Sequence, residues 1–165
     1  MTMTESGPLR GLQLYPRFAP DVRALLTQAW KTHVDGIEAL APGAIGILSS
    51  GSTQSQVHEV SVVILSAEAV KTSAEAVNRH LGMKPDHVWG LMLPTFHVGG
   101  YMIPVRAMLS GSRVVRFEED WKPASAVRFL AEHEVTHLSW VPTQVYDVVT
   151  EGLRAPQGLQ AVIVG

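Results

Sequence analysis

From Ile45 to the last residue the chain alternates short apolar runs with stretches of helical period, and that alternation restricts it to few folds. The runs are Ile45–Leu48, Val60–Leu65, His87–Leu93, Ser112–Phe117, Thr136–Trp140 and Leu159–Val164. They are rich in Val, Ile and Leu and too brief for helices, so they read as buried strands. Between most of them lie segments with apolar residues at three- and four-residue spacing. Val70, Ala74, Val77 and Leu81 form one stripe, Ala126, Val127, Phe129, Leu130 and Ala131 a second, and Val145, Val148 and Val149 a third. Strand and helix in turn predict an α/β domain with a largely parallel sheet.

Local punctuation agrees with this reading. Ser66 is placed as an N-cap, Glu68 suits a first helical turn, and Gly82 followed by Pro85 ends the helix. Pro123 and Pro142 open helices, Gly152 closes the last one, and Pro104 falls inside the apolar helix expected over Tyr101–Leu109. Residues 1–43 read as a lead-in with one amphipathic helix, from Pro20 through Val22, Leu25, Leu26, Ala29 and Trp30.

Composition narrows the function classes. A chain of 165 residues with 46% hydrophobic and 17% charged residues can bury a core, and a net charge of -2 without a basic stripe argues against nucleic acid. The absence of cysteine removes disulfides, thiolate zinc sites and thiol nucleophiles, and suits a cytoplasmic protein. The apolar stretch Val98–Leu109 is too short for a bilayer span and carries Arg106.

In open parallel sheets ligands bind beyond the carboxyl ends of the strands. The loops leaving such ends here are Ser49–Glu59, Pro94–Gly100 and Val141–Gln144. The first begins Ser49-Ser50-Gly51-Ser52-Thr53, hydroxyls and backbone amides of the kind that wrap a phosphate. The second holds His97 ahead of Gly99 and Gly100, where missing side chains allow close approach of backbone or ligand. An imidazole there can orient or stabilise a carboxylate, or serve only as a loop histidine bonded to a carbonyl.

His133-Glu134-Val135-Thr136-His137 matches the zinc-protease pattern, which needs both histidines on one face of a continuous helix. The helical period stops near Glu132, and Val135–Trp140 reads as a strand entry. The two histidines are therefore expected on different elements, and zinc chemistry is not.

Together, Ile47–Thr53, Leu93–Gly100, Val135–Gln144 and Leu159–Gly165 resemble the adenylate-forming acyl-CoA synthetase superfamily, above all the o-succinylbenzoate-CoA ligases of menaquinone biosynthesis. On that resemblance residues 44–165 form part of the large N-terminal AMP-binding domain, incomplete at its C-terminus. The implied reaction has two halves, attack of a carboxylate on the α-phosphate of Mg2+-bound ATP and transfer of the acyl group from AMP to CoA. Ser49, Ser50, Gly51, Ser52 and Thr53 are implied to hold the β and γ phosphates. His97 is implied as the catalytic residue beside acyl group and adenylate, with Gly99 and Gly100 next to it.

The match has departures. The family's loop continues into Gly-x-Pro-Lys-Gly, whereas Gln54–Val60 stands here and Ser61 falls at the lysine position. The family's later adenine, magnesium and catalytic-lysine motifs do not occur in the sequence. The expectation is thus a piece of a carboxylate-activating ligase, inactive by itself. The alternatives are a ligase for a fatty or another aryl acid, and a non-catalytic nucleotide-binding or scaffold protein that has lost the phosphate lysine. A homo-oligomer stays open, since uncovered sheet edges drive association.

Overall fold

The computed structural model describes Gly11, Leu12, Pro20, Ala24, Thr27, Gln28 and residues 45–48 and 62–165. These fall into two compact units, one reaching Ser73 and including Phe96–Val98, the other formed by Ala74–Thr95 and Gly99–Gly165.

The first unit holds a three-stranded sheet of β1 (Gly11–Leu12), β2 (Ile45–Leu48) and β3 (Val62–Leu65). β1 lies parallel to β2, but β2 and β3 are antiparallel, with Ile45 opposite Leu65 and Leu48 opposite Val62. Both strands were expected from their apolar runs. Their direction differs from the parallel pattern; an antiparallel pair needs no crossover connection, whereas a parallel one does. Ile45 and Ile47 are buried. Pro20, Ala24, Thr27 and Gln28 are helical, where the lead-in helix was expected.

Helix α1 (Ala67–His80) starts as its sequence requires, with the Ser66 hydroxyl accepting the Ala69 N–H at 3.1 Å. At its other end Met83 N–H bonds Asn78 O at 2.9 Å and Gly82 N–H bonds Arg79 O at 3.2 Å. That is a Schellman motif, and it places Gly82 at φ +60.

The second unit is built on four parallel strands, β4 (Val88–Leu91), β5 (Arg113–Arg116), β6 (His137–Trp140) and β7 (Ala161–Val164), in the order β5-β4-β6-β7. The pairs β4 with β5, β4 with β6 and β6 with β7 are all parallel, as the alternating pattern predicted. The connecting helices are α2 (Val98–Ser110), α3 (Pro123–Glu132) and α4 (Pro142–Thr150). Helix α2 starts three residues before the expected Tyr101 and passes through Pro104.

Two apolar layers cover the sheet. Trp89 and Leu91 of β4 pack with Ile103 and Ala107 of α2. Val88, Leu138 and Trp140 pack on the other side with Ala126, Phe129 and Leu130 of α3 and Val148 of α4. The central strands β4 and β6 are buried along their whole length, as strands covered on both faces must be. Among the described residues no helix is long and apolar enough to cross a membrane.

Candidate functional site

Strand order β5-β4-β6-β7 has a consequence for ligand binding. The connection from β4 runs to β5 on one side, and the chain then crosses to β6 on the other, so the strand order reverses between β4 and β6. Open α/β sheets bind ligands in the crevice at the carboxyl ends of such a pair. The segments leaving those ends are Met92–Thr95 after β4 and Val141–Gln144 after β6.

Each segment is fixed locally. Val141 caps α4 without a side-chain acceptor of its own, and Gln144 compensates, its Oε1 accepting the Val141 N–H at 3.0 Å. Pro142 supplies the first helical position, where its missing N–H costs nothing. The turn leaves the Thr143 side chain exposed. After β4 the chain folds against the start of α2 so closely that a Cβ on Gly100 would lie 2.2 Å from Pro94 O and 2.5 Å from Leu93 O. The close approach expected at Gly100 is thus made by the chain's own backbone. At Gly99 a Cβ would meet only Leu93 Cδ1, at 3.1 Å.

Of the sequence candidates, Ser49, Ser50, Gly51, Ser52 and Thr53 lie outside the described residues. His97 belongs to the first unit, half-buried, its ring centroid 4.4 Å from that of Phe96. Gly99 and Gly100 belong to the second unit, in the first turn of α2.

The zinc-protease lettering ends as expected, for a reason visible in the backbone. Helix α3 stops at Glu132; Val135 N–H bonds Leu130 O at 2.9 Å and Glu134 N–H bonds Ala131 O at 3.3 Å. This is the same Schellman closure as after α1, with Glu134 at φ 53 where a glycine usually stands. His133 is exposed at the helix end, and His137 is buried in β6.

The second unit also buries polar groups that the sequence did not single out. Trp89 is opposite His137 in the register, so the two point to the same face of the sheet, the one α2 covers. Ser139, two residues on, shares that face. The Arg106 guanidinium lies 5.7 Å from the Trp89 ring centroid, and Trp89 lies 5.4 Å from His137, which in turn stands 4.9 Å from His87. Arg106 is only 8% exposed. Its Nε and Nη1, together with Trp89 Nε1 and Ser139 Oγ, are buried with no hydrogen-bond partner among the described residues. Burial pulls the Arg106 proton affinity below its ordinary value, yet a guanidinium stays charged at neutral pH.

That set is unbalanced in a telling way. Arginine and indole nitrogens only donate, and a serine hydroxyl donates or accepts. The remaining unpaired buried atom among the described residues, Asn78 Oδ1, is an acceptor on the side chain whose Nδ2 bonds the Arg106 carbonyl, so unpaired donors outnumber unpaired acceptors. Among the described residues no carboxylate pairs with Arg106, and a buried charge without a counter-charge costs several kcal/mol. The backbone of Arg106 is held firmly, its carbonyl accepting Asn78 Nδ2 at 2.8 Å and Ser110 Oγ at 2.8 Å. In the sequence Arg106 stood out only as a charge in an apolar stretch. A lone cation on a helix otherwise apolar all round was the available signal.

Fold and crevice together describe an α/β domain with a switch point in its parallel sheet, and comparison with known proteins defines the class. The AMP-binding enzyme family model matches residues 61–165. The chain belongs to the AMP-binding enzyme family. It is 28% identical over 93 residues to the 2-succinylbenzoate–CoA ligase of Staphylococcus aureus, a match covering 56% of this chain and 19% of that protein. The o-succinylbenzoate CoA synthetase of Bacillus subtilis in complex with its acyl-adenylate intermediate aligns with a TM-score of 0.63 at 23% identity, over 73% of this chain and 30% of that one. The same synthetase in complex with ATP and magnesium ion aligns with a TM-score of 0.62 at 23% identity, over 73% and 24%. At that identity the likeness shows the fold. The chain spans about a fifth of the length of the S. aureus relative.

Proposed function

We propose that the chain is part of an AMP-forming acid–thiol ligase whose substrate is an aromatic acid of the 2-succinylbenzoate kind. The observation that carries this reading is Arg106, buried on α2 with two N–H donors unmatched. The family match and the S. aureus relative support the reaction class.

Arg106 stands eight residues after the start of α2, about 12 Å along the helix at 1.5 Å per residue. An acid with two anionic ends can place one carboxylate at the crevice, where it is activated, and the other at Arg106. Trp89 packs against the guanidinium and offers its indole N–H to the same anion. The first carboxylate oxygen attacks the α-phosphorus of ATP, forming acyl-AMP and releasing pyrophosphate; the CoA thiol then attacks the acyl carbon and AMP departs. Such chemistry depends on positioning and charge stabilisation more than on protein nucleophiles.

In this reading Ser49, Ser50, Gly51, Ser52 and Thr53 hold the β and γ phosphates of magnesium-bound ATP. His97 orients the reacting carboxylate and adenylate, and Gly99 and Gly100 keep the loop close. ATP, CoA and a small carboxylate are the partners, and the cytoplasm is the compartment. A second reading rests on Ser61, which stands where the phosphate lysine is expected; it is a non-catalytic nucleotide-binding protein.

The experiment is ATP–pyrophosphate exchange by the protein purified from its own cells, with and without 2-succinylbenzoate. Exchange that depends on the acid supports the ligase. Nucleotide binding without exchange supports the second reading, and absence of both contradicts the two together.

A further inference from the structure

Three segments leave the carboxyl ends of β4, β5 and β6, and one aromatic cluster ties all three. Trp140, the last residue of β6, donates its indole N–H to Met92 Sδ at 3.3 Å, and Met92 is the first residue after β4. Trp121, between β5 and α3, meets Trp140 edge to face at 5.7 Å and 83°. The Trp121 N–H in turn reaches Asp147 Oδ2 of α4 at 2.9 Å. Met92, Trp121 and Trp140 all belong to the core layer under α3 and α4. Both indole N–H groups are therefore satisfied, unlike that of Trp89.

We infer that Trp140 and Met92 form a clasp that sets the spacing of the two segments on either side of the switch-point crevice, which makes Trp140 a positioning residue for whatever binds there. Sequence position supports it. Trp140 directly precedes the Val141–Gln144 turn, and Met92 directly precedes Leu93 and Pro94, whose carbonyls leave no room for a Cβ on Gly100. A thioether is a weak acceptor, so the bond contributes direction more than energy. Its donor and acceptor sit at the roots of the two segments, where a small shift moves Thr95 and Thr143 together. The inference rests on the crevice being the ligand site of the proposed ligase.

The test uses the full chain with Trp140→Phe, which keeps a ring for Trp121 but removes the N–H, and Met92→Leu, which removes the acceptor. Amide hydrogen exchange is followed in each and in the double variant. The expected result is exchange at least fivefold faster at Leu93, Thr95, Val141 and Gln144, with β4 and β7 amides within twofold of wild type. The double variant then matches Trp140→Phe alone, because one bond is lost in each. Uniform acceleration, no change, or additive effects would overturn the clasp. Titration with AMP adds a second readout, expected to weaken three- to tenfold in either single variant. If the protein purified from its own cells binds no AMP, the ligase reading fails while the exchange data still decide on the clasp. Should Trp140→Phe fail to fold, Met92→Leu carries the same comparison.

Discussion

The Arg106 guanidinium rests 5.7 Å from the centre of the Trp89 ring, with its Nε and Nη1 directed to no acceptor. A cation over an indole face gains about 1–2 kcal/mol, less than the desolvation of a buried charge. The pair is therefore poorly explained by stability, and the proposed acid anchor gives it a reason.

Replacing Arg106 with Met, of similar reach and no charge, is expected to leave the free protein as stable as before or to stabilise it by about 1–3 kcal/mol. Urea unfolding measures this. A loss above about 2 kcal/mol would make the guanidinium a structural group and remove the reason to assign it an anion.

Glu134 holds a left-handed conformation at φ 53, and its side chain is exposed. A non-glycine residue there costs about 1 kcal/mol. Glu134→Gly should raise stability by about that amount and Tm by about 2–4 °C, a shift that calorimetry resolves. An unchanged or lower Tm would show that Glu134 makes a compensating interaction. The wild-type protein should also carry no stoichiometric zinc by atomic absorption, since the helix stops at Glu132 and His137 lies in β6.

Gly100 and Gly99 should respond differently to the same methyl group. A Cβ at Gly100 runs into the carbonyls of Leu93 and Pro94, which are backbone and cannot rotate away. Gly100→Ala is expected to cost about 3 kcal/mol, at the upper end of overpacking with backbone shifts. At Gly99 the neighbour is the end of a leucine side chain, and Gly99→Ala should cost under about 1 kcal/mol. Equal effects in chemical denaturation would contradict the described path of the Leu93–Gly100 segment.

His137 is 1% exposed and held at a pKa of about 4, first by burial and second by repulsion from His87. Its Nδ1 meets Thr136 Oγ1 at 2.8 Å. In the unfolded chain the same imidazole titrates near its ordinary 6.5. Between these values the unfolded state binds the extra proton, so stability from this group is complete above about pH 6.5 and falls as pH drops toward 4. The loss is about 2–3 kcal/mol. Urea unfolding at pH 7.5 and 4.5 should show it, and His137→Gln should remove most of the difference from the wild-type slope. An identical slope in the variant would assign acid sensitivity to other groups.

Much of this fold could be read from residues whose local chemistry agrees with their environment. Ser66 caps α1, Gly82 and Gly152 end helices in left-handed conformations, and Pro123 and Pro142 open them, all as their side chains dictate. The β2–β3 direction was less legible, because apolar runs carry no information on which way a neighbouring strand points. Glu134 as a helix terminator escaped notice since nothing in its chemistry favours that conformation. Arg106 escaped for another reason: one charge in an apolar helix looks the same whether it faces solvent or the sheet, and only packing against Trp89 decides.

The central claim is that Arg106 anchors an acid. Titration of the full chain with 2-succinylbenzoate, followed through the Trp89 indole and Arg106 Nε–H resonances, tests it most directly. The account predicts saturable shifts at both resonances and at least tenfold weaker binding in Arg106→Met. Undisturbed resonances, or equal binding by wild type and variant, would contradict it.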